Sequence, residues 1–122
     1  MKKILIKIMF SLLFVNFSCG QKSKIINQKT FDSLALKSNV IVFDVRTKEE
    51  IQTKKIQSSS LYVDYYSDDF QTKIQKLDKT KTYLIYCRSG VRSMKTLKLM
   101  SKFGFLNIYS LDGGIDNYKF KK

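Results

Sequence analysis

Apolar positions along this chain change period several times, and each change marks an element. Asn39-Val40-Ile41-Val42-Phe43-Asp44-Val45 is an almost unbroken apolar run, as in a strand covered on both faces within a parallel sheet. Tyr83-Leu84-Ile85-Tyr86 is a second run of strand type. Met94, Leu97, Met100 and Phe103 follow at helical spacing, which predicts a helix over 93–103. Gly104 suits the left-handed position that ends such a helix, and Phe105 then folds back onto the core. Shorter strands are predicted over 24–27, 60–64 and 107–111. Thr30 is expected to cap a helix running to about residue 37, with Phe31, Leu34 and Ala35 inward. Thr47-Lys48-Glu49-Glu50 has the form of a capping box. A loop over 65–69 leads to a short helix over 70–77, then a turn at 78–81. Asp112-Gly113-Gly114 is a tight turn into a terminal helix from 115 to about 120. This alternation implies an α/β domain of about five mostly parallel strands with helices on both faces. Ligands in such sheets bind beyond the carboxyl ends of the strands.

The first twenty residues follow another pattern. Lys2 and Lys3 precede a mostly apolar stretch, 4–17, interrupted by Lys7, Ser11 and Asn16. It is short for a membrane span and fits the apolar region of a secretory signal. Ser18-Cys19 then resembles a bacterial lipoprotein signal, in which the cysteine becomes the lipid-bearing first residue. Asn16 and Phe17 depart from that motif. The expected organisation is a signal over 1–19, a polar tether over 20–23 and one domain over 24–122. Export to the periplasm or cell envelope follows, with lipid on Cys19 as a membrane anchor; ordinary cleavage or an uncleaved anchor are the alternatives.

Length and composition then narrow the chemistry. One hundred and twenty-two residues at 43% apolar content suit one domain with its own core. There is no histidine, which removes Ser-His-Asp and Cys-His mechanisms and His-ligated metals. Two cysteines are too few for a disulfide framework or a cysteine-rich zinc site. No metal or cofactor is expected. The formal charge is +13; it can steer anions to the surface. The lysines are scattered and no nucleic-acid motif is present, so a solvated basic surface is expected rather than nucleic-acid binding.

The chemistry concentrates in Cys87-Arg88-Ser89-Gly90-Val91-Arg92-Ser93, between the strand over 83–86 and the helix after it. The first N–H groups of a helix lack partners and, with the helix dipole, favour an anion. A thiol at such a place ionises easily, and the two arginines add to the field and can grip an oxyanion. A single cysteine ending a buried strand can equally be a small core residue. Two arginines and a glycine directly after it serve no packing purpose and favour a reactive thiol.

This loop closely resembles the active-site loop of rhodanese-like sulfurtransferases. Four residues separate Cys87 from Arg92; the related Cdc25-type phosphatases and arsenate reductases have five, and the shorter loop suits a sulfur atom rather than a whole phosphate. Asp44-Val45-Arg46 before the capping box resembles the same family, where such residues brace the catalytic loop. Leu111-Asp112-Gly113-Gly114 followed by an aromatic is similar too, with Tyr118 where the family usually has Trp. Lys54-Lys55-Ile56-Gln57-Ser58-Ser59 departs from the family's Gly-His-Ile-x-Gly-Ala, with serines in place of the glycine turn.

The resemblance implies that Cys87 is the nucleophile. It also implies that Arg88, Ser89, Gly90, Val91 and Arg92 bind the substrate, and that Asp44, Arg46 and Ser93 give structural support. It implies sulfane-sulfur transfer from a small anionic donor such as thiosulfate to cyanide, a thiol or an acceptor protein, through a Cys87 persulfide. A monomer is expected. The alternatives are a sulfur carrier or a redox or binding module of the envelope that does not turn over, and a basic envelope protein binding anionic polymers. A phosphatase or arsenate reductase is disfavoured by the loop length.

Overall fold

The computed structural model describes residues 24–122. The signal, the tether and Cys19 lie outside these residues. The element order is β1 (Lys24–Ile26), α1 (Gln28–Ala35), β2 (Val40–Asp44), α2 (Lys48–Thr53), β3 (Ser59–Tyr62), α3 (Phe70–Gln75), β4 (Thr82–Tyr86), α4 (Val91–Lys102) and β5 (Ile108–Leu111), closed by a 3-10 turn, Ile115–Asn117. The strands form one sheet in the order β1-β5-β4-β2-β3. Every pairing is parallel, where the sequence suggested only a mostly parallel sheet.

Side chains alternate across each strand, so the sheet buries two separate apolar layers. Phe43, Tyr83, Ile85 and Ile108 pack with Phe70 and Ile74 of α3 and Leu97 and Met100 of α4 on one face. Val42, Leu84, Tyr86 and Leu111 pack with Phe31 of α1 and Ile115 on the other. The central pair, β2 and β4, is covered on both sides, which explains its unbroken apolar runs.

Three of the differences from the sequence expectation have a visible local cause. Asn27, not Thr30, caps α1: the Asn27 side chain accepts from the Thr30 N–H at 2.9 Å. β1 ends at Ile26, so the chain turns into α1 at once and the earlier cap residue is the one in position. α4 begins at Val91, two residues early, because Gly90 takes a left-handed conformation (φ 102°) and ends the loop there. The predicted terminal helix is only the 3-10 turn. Beyond it Lys119 exchanges two hydrogen bonds with the Gln28 side chain, 2.7 and 2.8 Å, and the Tyr118 hydroxyl donates to Asp32 at 2.7 Å. These contacts hold the chain extended against α1.

Candidate active site

β4 delivers Cys87 to the carboxyl end of the sheet, and the following loop wraps around its sulfur. Cys87 Sγ accepts the Gly90 N–H at 3.1 Å and the Ser93 N–H at 3.4 Å. Its thiol lies 3.6 Å from Ser93 Oγ. Val91 and Arg92 open α4, so their amides have no carbonyl of that helix to bond. The sulfur therefore faces inward-turned amides at a helix start, although the residue as a whole is only 1% exposed. The loop is held from behind. Ile115 N–H donates to Cys87 O and Asp116 N–H to Arg88 O, both at 3.0 Å. Gly114 is required there, since a Cβ would run into the Arg88 carbonyl.

The two loop arginines have different surroundings. Arg92 makes a bidentate pair with Glu50 of α2, at 2.7 and 2.8 Å, and its guanidinium sits 5.4 Å from the centre of the Tyr66 ring. The hydrogen bonds from Arg92 bring the Glu50 carboxyl down to about 2, with help from Thr47 and against partial burial. Arg92 is held above its ordinary value, first by its hydrogen bonds to Glu50 and then, against burial, by the charges of Glu50, Cys87 and Tyr66. Arg88 is 71% exposed and has only a 3.5 Å contact with Asp116. A cavity of about 270 Å³ lies between Arg46, Glu50, Lys54, Arg88 and Asp116. Of the two loop arginines, Arg92 is clamped to a carboxylate and Arg88 is held only by the longer, exposed contact.

Asp44 and Arg46 are buried. Arg46 donates to Asp44 through its backbone N–H, Nε and Nη2 at 2.9, 3.0 and 2.8 Å. The Tyr86 hydroxyl donates to the same carboxylate at 2.6 Å. Burial opposes the Arg46 charge, but its hydrogen bonds to Asp44 and the attraction of that carboxylate keep its pKa raised. Burial, followed by the hydrogen bond to Asp44, also pushes the Tyr86 phenol up. Arg46 Nη2 reaches Lys54 O at 2.8 Å, and Tyr86 Oη accepts the Ile56 N–H at 3.2 Å. Ser59 closes its turn by donating to Ile56 O at 2.6 Å. The altered segment 54–59 is therefore fastened to the strand that carries Cys87.

Ser93 serves the loop three ways: its amide points at sulfur, its hydroxyl donates to Gly90 O at 3.1 Å, and the same hydroxyl lies 2.8 Å from Ser110 Oγ of β5. Glu50, Tyr66 and Ser110 were not among the residues singled out from the sequence for this site. Glu50 carried a signal, but only as a helix cap; the other two had none beyond composition.

A thiol cradled by amides at the carboxyl end of a central parallel strand defines a class of α/β proteins with a cysteine-bearing loop between strand and helix. Within it, the Rhodanese-like domain family matches residues 27–121, and this chain belongs to that family. A rhodanese-related protein of Thermoplasma volcanium superposes with a TM-score of 0.66 at 27% identity, covering 76% of this chain and 87% of that one. The tRNA uridine(34) hydroxylase of Rickettsia canadensis is 30% identical over 103 residues, 80% of this chain and 40% of that protein. The enzyme of the same name from Cytophaga hutchinsonii is 32% identical over 90 residues, 72% of this chain and 29% of that one. The chain thus spans well under half the length of these curated relatives.

Proposed function

We propose that the protein is a sulfurtransferase working through a Cys87 persulfide. The Cys87 thiolate attacks the outer sulfur of thiosulfate. A new S–S bond forms as the old one breaks, and sulfite leaves with the bonding pair. An acceptor thiolate or cyanide then attacks the persulfide's outer sulfur and returns the Cys87 thiolate. This is covalent catalysis in two half-reactions. The observation that carries the reading is the pair of amides, Gly90 and Ser93, aimed at Sγ. The unbonded amides of Val91 and Arg92 beside them suit a second, anionic sulfur. The tight enclosure of Cys87 suits a single transferred sulfur atom rather than a whole tetrahedral anion, so the donor's sulfonate stays outside the loop. Arg88, lining the cavity beside Arg46 and Lys54, is the cation left to meet the donor's sulfonate. Arg92 contributes fixed positive charge near the sulfur.

Intact-mass measurement after thiosulfate treatment tests this. A gain of one sulfur atom, absent in Cys87→Ser, with thiocyanate formed on adding cyanide, is expected. A protein that gains sulfur once without turning over would be a carrier, the second reading that the enclosed thiol and altered rim support. An unmodified mass in both arms overturns the persulfide. The curated relatives act on tRNA by name, so a parallel arm with tRNA asks whether this domain shares that substrate. Export rests on the sequence of residues 1–19, and the mass of the protein recovered from cells reports any lipid on Cys19.

A further inference from the structure

One buried polar group has no place in the scheme above. Ser110 is on β5, directly behind the catalytic loop, and is 1% exposed. Its hydroxyl has a single hydrogen-bond partner among the described residues, Ser93 Oγ at 2.8 Å. Ser93 Oγ in turn lies 3.1 Å from Gly90 O and 3.6 Å from Cys87 Sγ. Each serine has one proton to donate. Gly90 O can only accept. If Ser93 donated to Ser110, the Ser110 proton would be buried without an acceptor, which is strongly disfavoured. Ser110 therefore donates to Ser93, and the Ser93 proton is left for Gly90 O or for the sulfur.

We infer that Ser110 is a positioning residue that fixes the polarity of this hydroxyl chain toward Cys87. With a neutral thiol, the S–H donates to Ser93 Oγ and Ser93 donates to Gly90 O. With an anionic sulfur there is no S–H to donate. The Ser93 hydroxyl then rotates from Gly90 O to the sulfur, and Gly90 O keeps the Met94 N–H at 3.1 Å. Ser110 continues to donate to Ser93 Oγ, and a hydroxyl so polarised is a better donor to the anion. The chain thus donates a third hydrogen bond to the sulfur, beside the two amides, only when the sulfur is charged. No proton leaves the chain in this rotation.

The test uses Ser110→Ala and Ser110→Thr beside wild type, with Cys87→Ser as the blank. The ultraviolet absorbance of the thiolate at one fixed pH reads the charged sulfur directly and requires no sulfur donor. It therefore fails or succeeds independently of the sulfurtransferase reading on which the persulfide part rests. Ser110→Ala should show about threefold less thiolate relative to thiol, the scale of one weakened hydrogen bond to a charged group, and Ser110→Thr should restore it. Thermal melts show that each variant is folded. Equal thiolate in wild type and a folded Ser110→Ala overturns the inference. So does a loss in Ser110→Ala that a folded Ser110→Thr fails to restore, since that would be packing rather than hydrogen bonding.

Discussion

Two arginine–carboxylate forks flank the cysteine loop, and they are built alike but placed differently. In the first, Asp44 and Arg46 are 0% and 3% exposed. Arg46 donates to Asp44 and to the backbone carbonyls of 50 and 54, and Asp44 accepts from Arg46 and from the Tyr86 hydroxyl. In the second, Arg92 and Glu50 are 13% and 26% exposed, and one partner lies in the loop around the sulfur. A buried ion pair contributes little net stability, but loss of one partner is costly because the other charge is stranded. A partly exposed pair leaves its survivor able to find water. The first fork should therefore behave as architecture, and the second as a fixed cation beside the reaction.

The largest effect should come from the enclosed fork. Asp44→Ala leaves Arg46 and the Tyr86 hydroxyl without their acceptor, and should cost about 3–5 kcal/mol. Urea unfolding would measure it, and a loss under about 1 kcal/mol would mean that water reaches Arg46 and the two forks are equivalent.

Next comes Glu50→Gln. The Glu50 carboxyl is depressed from 4.5 to about 2. Its contribution to stability is therefore complete above 4.5, and is lost as pH falls through that interval toward 2. After allowance for screening at this half-exposed place, about 1–2 kcal/mol is involved. Wild type should lose that amount between 4.5 and 2, and Glu50→Gln should lose correspondingly less. Parallel acid limbs for the two proteins would show that the fork adds nothing to the fold.

These forks also mark what the sequence could and could not disclose. Asp44 and Arg46 are two residues apart, and Thr47 and Glu50 three, so a local pattern sufficed. The cysteine loop was legible for the same reason: strand, thiol, glycine and helix are contiguous. The bidentate contact between Glu50 and Arg92 spans forty-two residues, and no periodicity reports it. Ser110 was hidden in the same way, since a serine facing inward from a short strand looks like any polar break in a run. The failed terminal helix belongs here too. Residues 115–120 have no intrinsic bar to helix, but Gln28 captures the Lys119 backbone and tertiary contact outweighs propensity. Asn27 and Thr30 were both adequate caps, and only the end of β1 decided between them.

The smallest structural effect, and the sharpest separation of roles, is expected at Arg88. Its contact with Asp116 is long and solvent-exposed, so Arg88→Ala should alter stability by no more than about 0.5 kcal/mol. Its guanidinium is nevertheless the loop cation without a strong carboxylate partner, and it borders the cavity shared with Arg46, Glu50 and Lys54. Arg88→Ala should therefore raise the KM for thiosulfate about tenfold, the effect of losing roughly 1.4 kcal/mol of charge-assisted hydrogen bonding to a sulfonate. The kcat for cyanide as acceptor should change little, because in the proposed mechanism the persulfide is held by amides that the substitution does not touch. The opposite split, an unchanged KM with a lower kcat, would place Arg88 on the transferred sulfur rather than on the donor's oxyanion. It would then fall to Arg92, despite its clamp on Glu50, to meet the sulfonate.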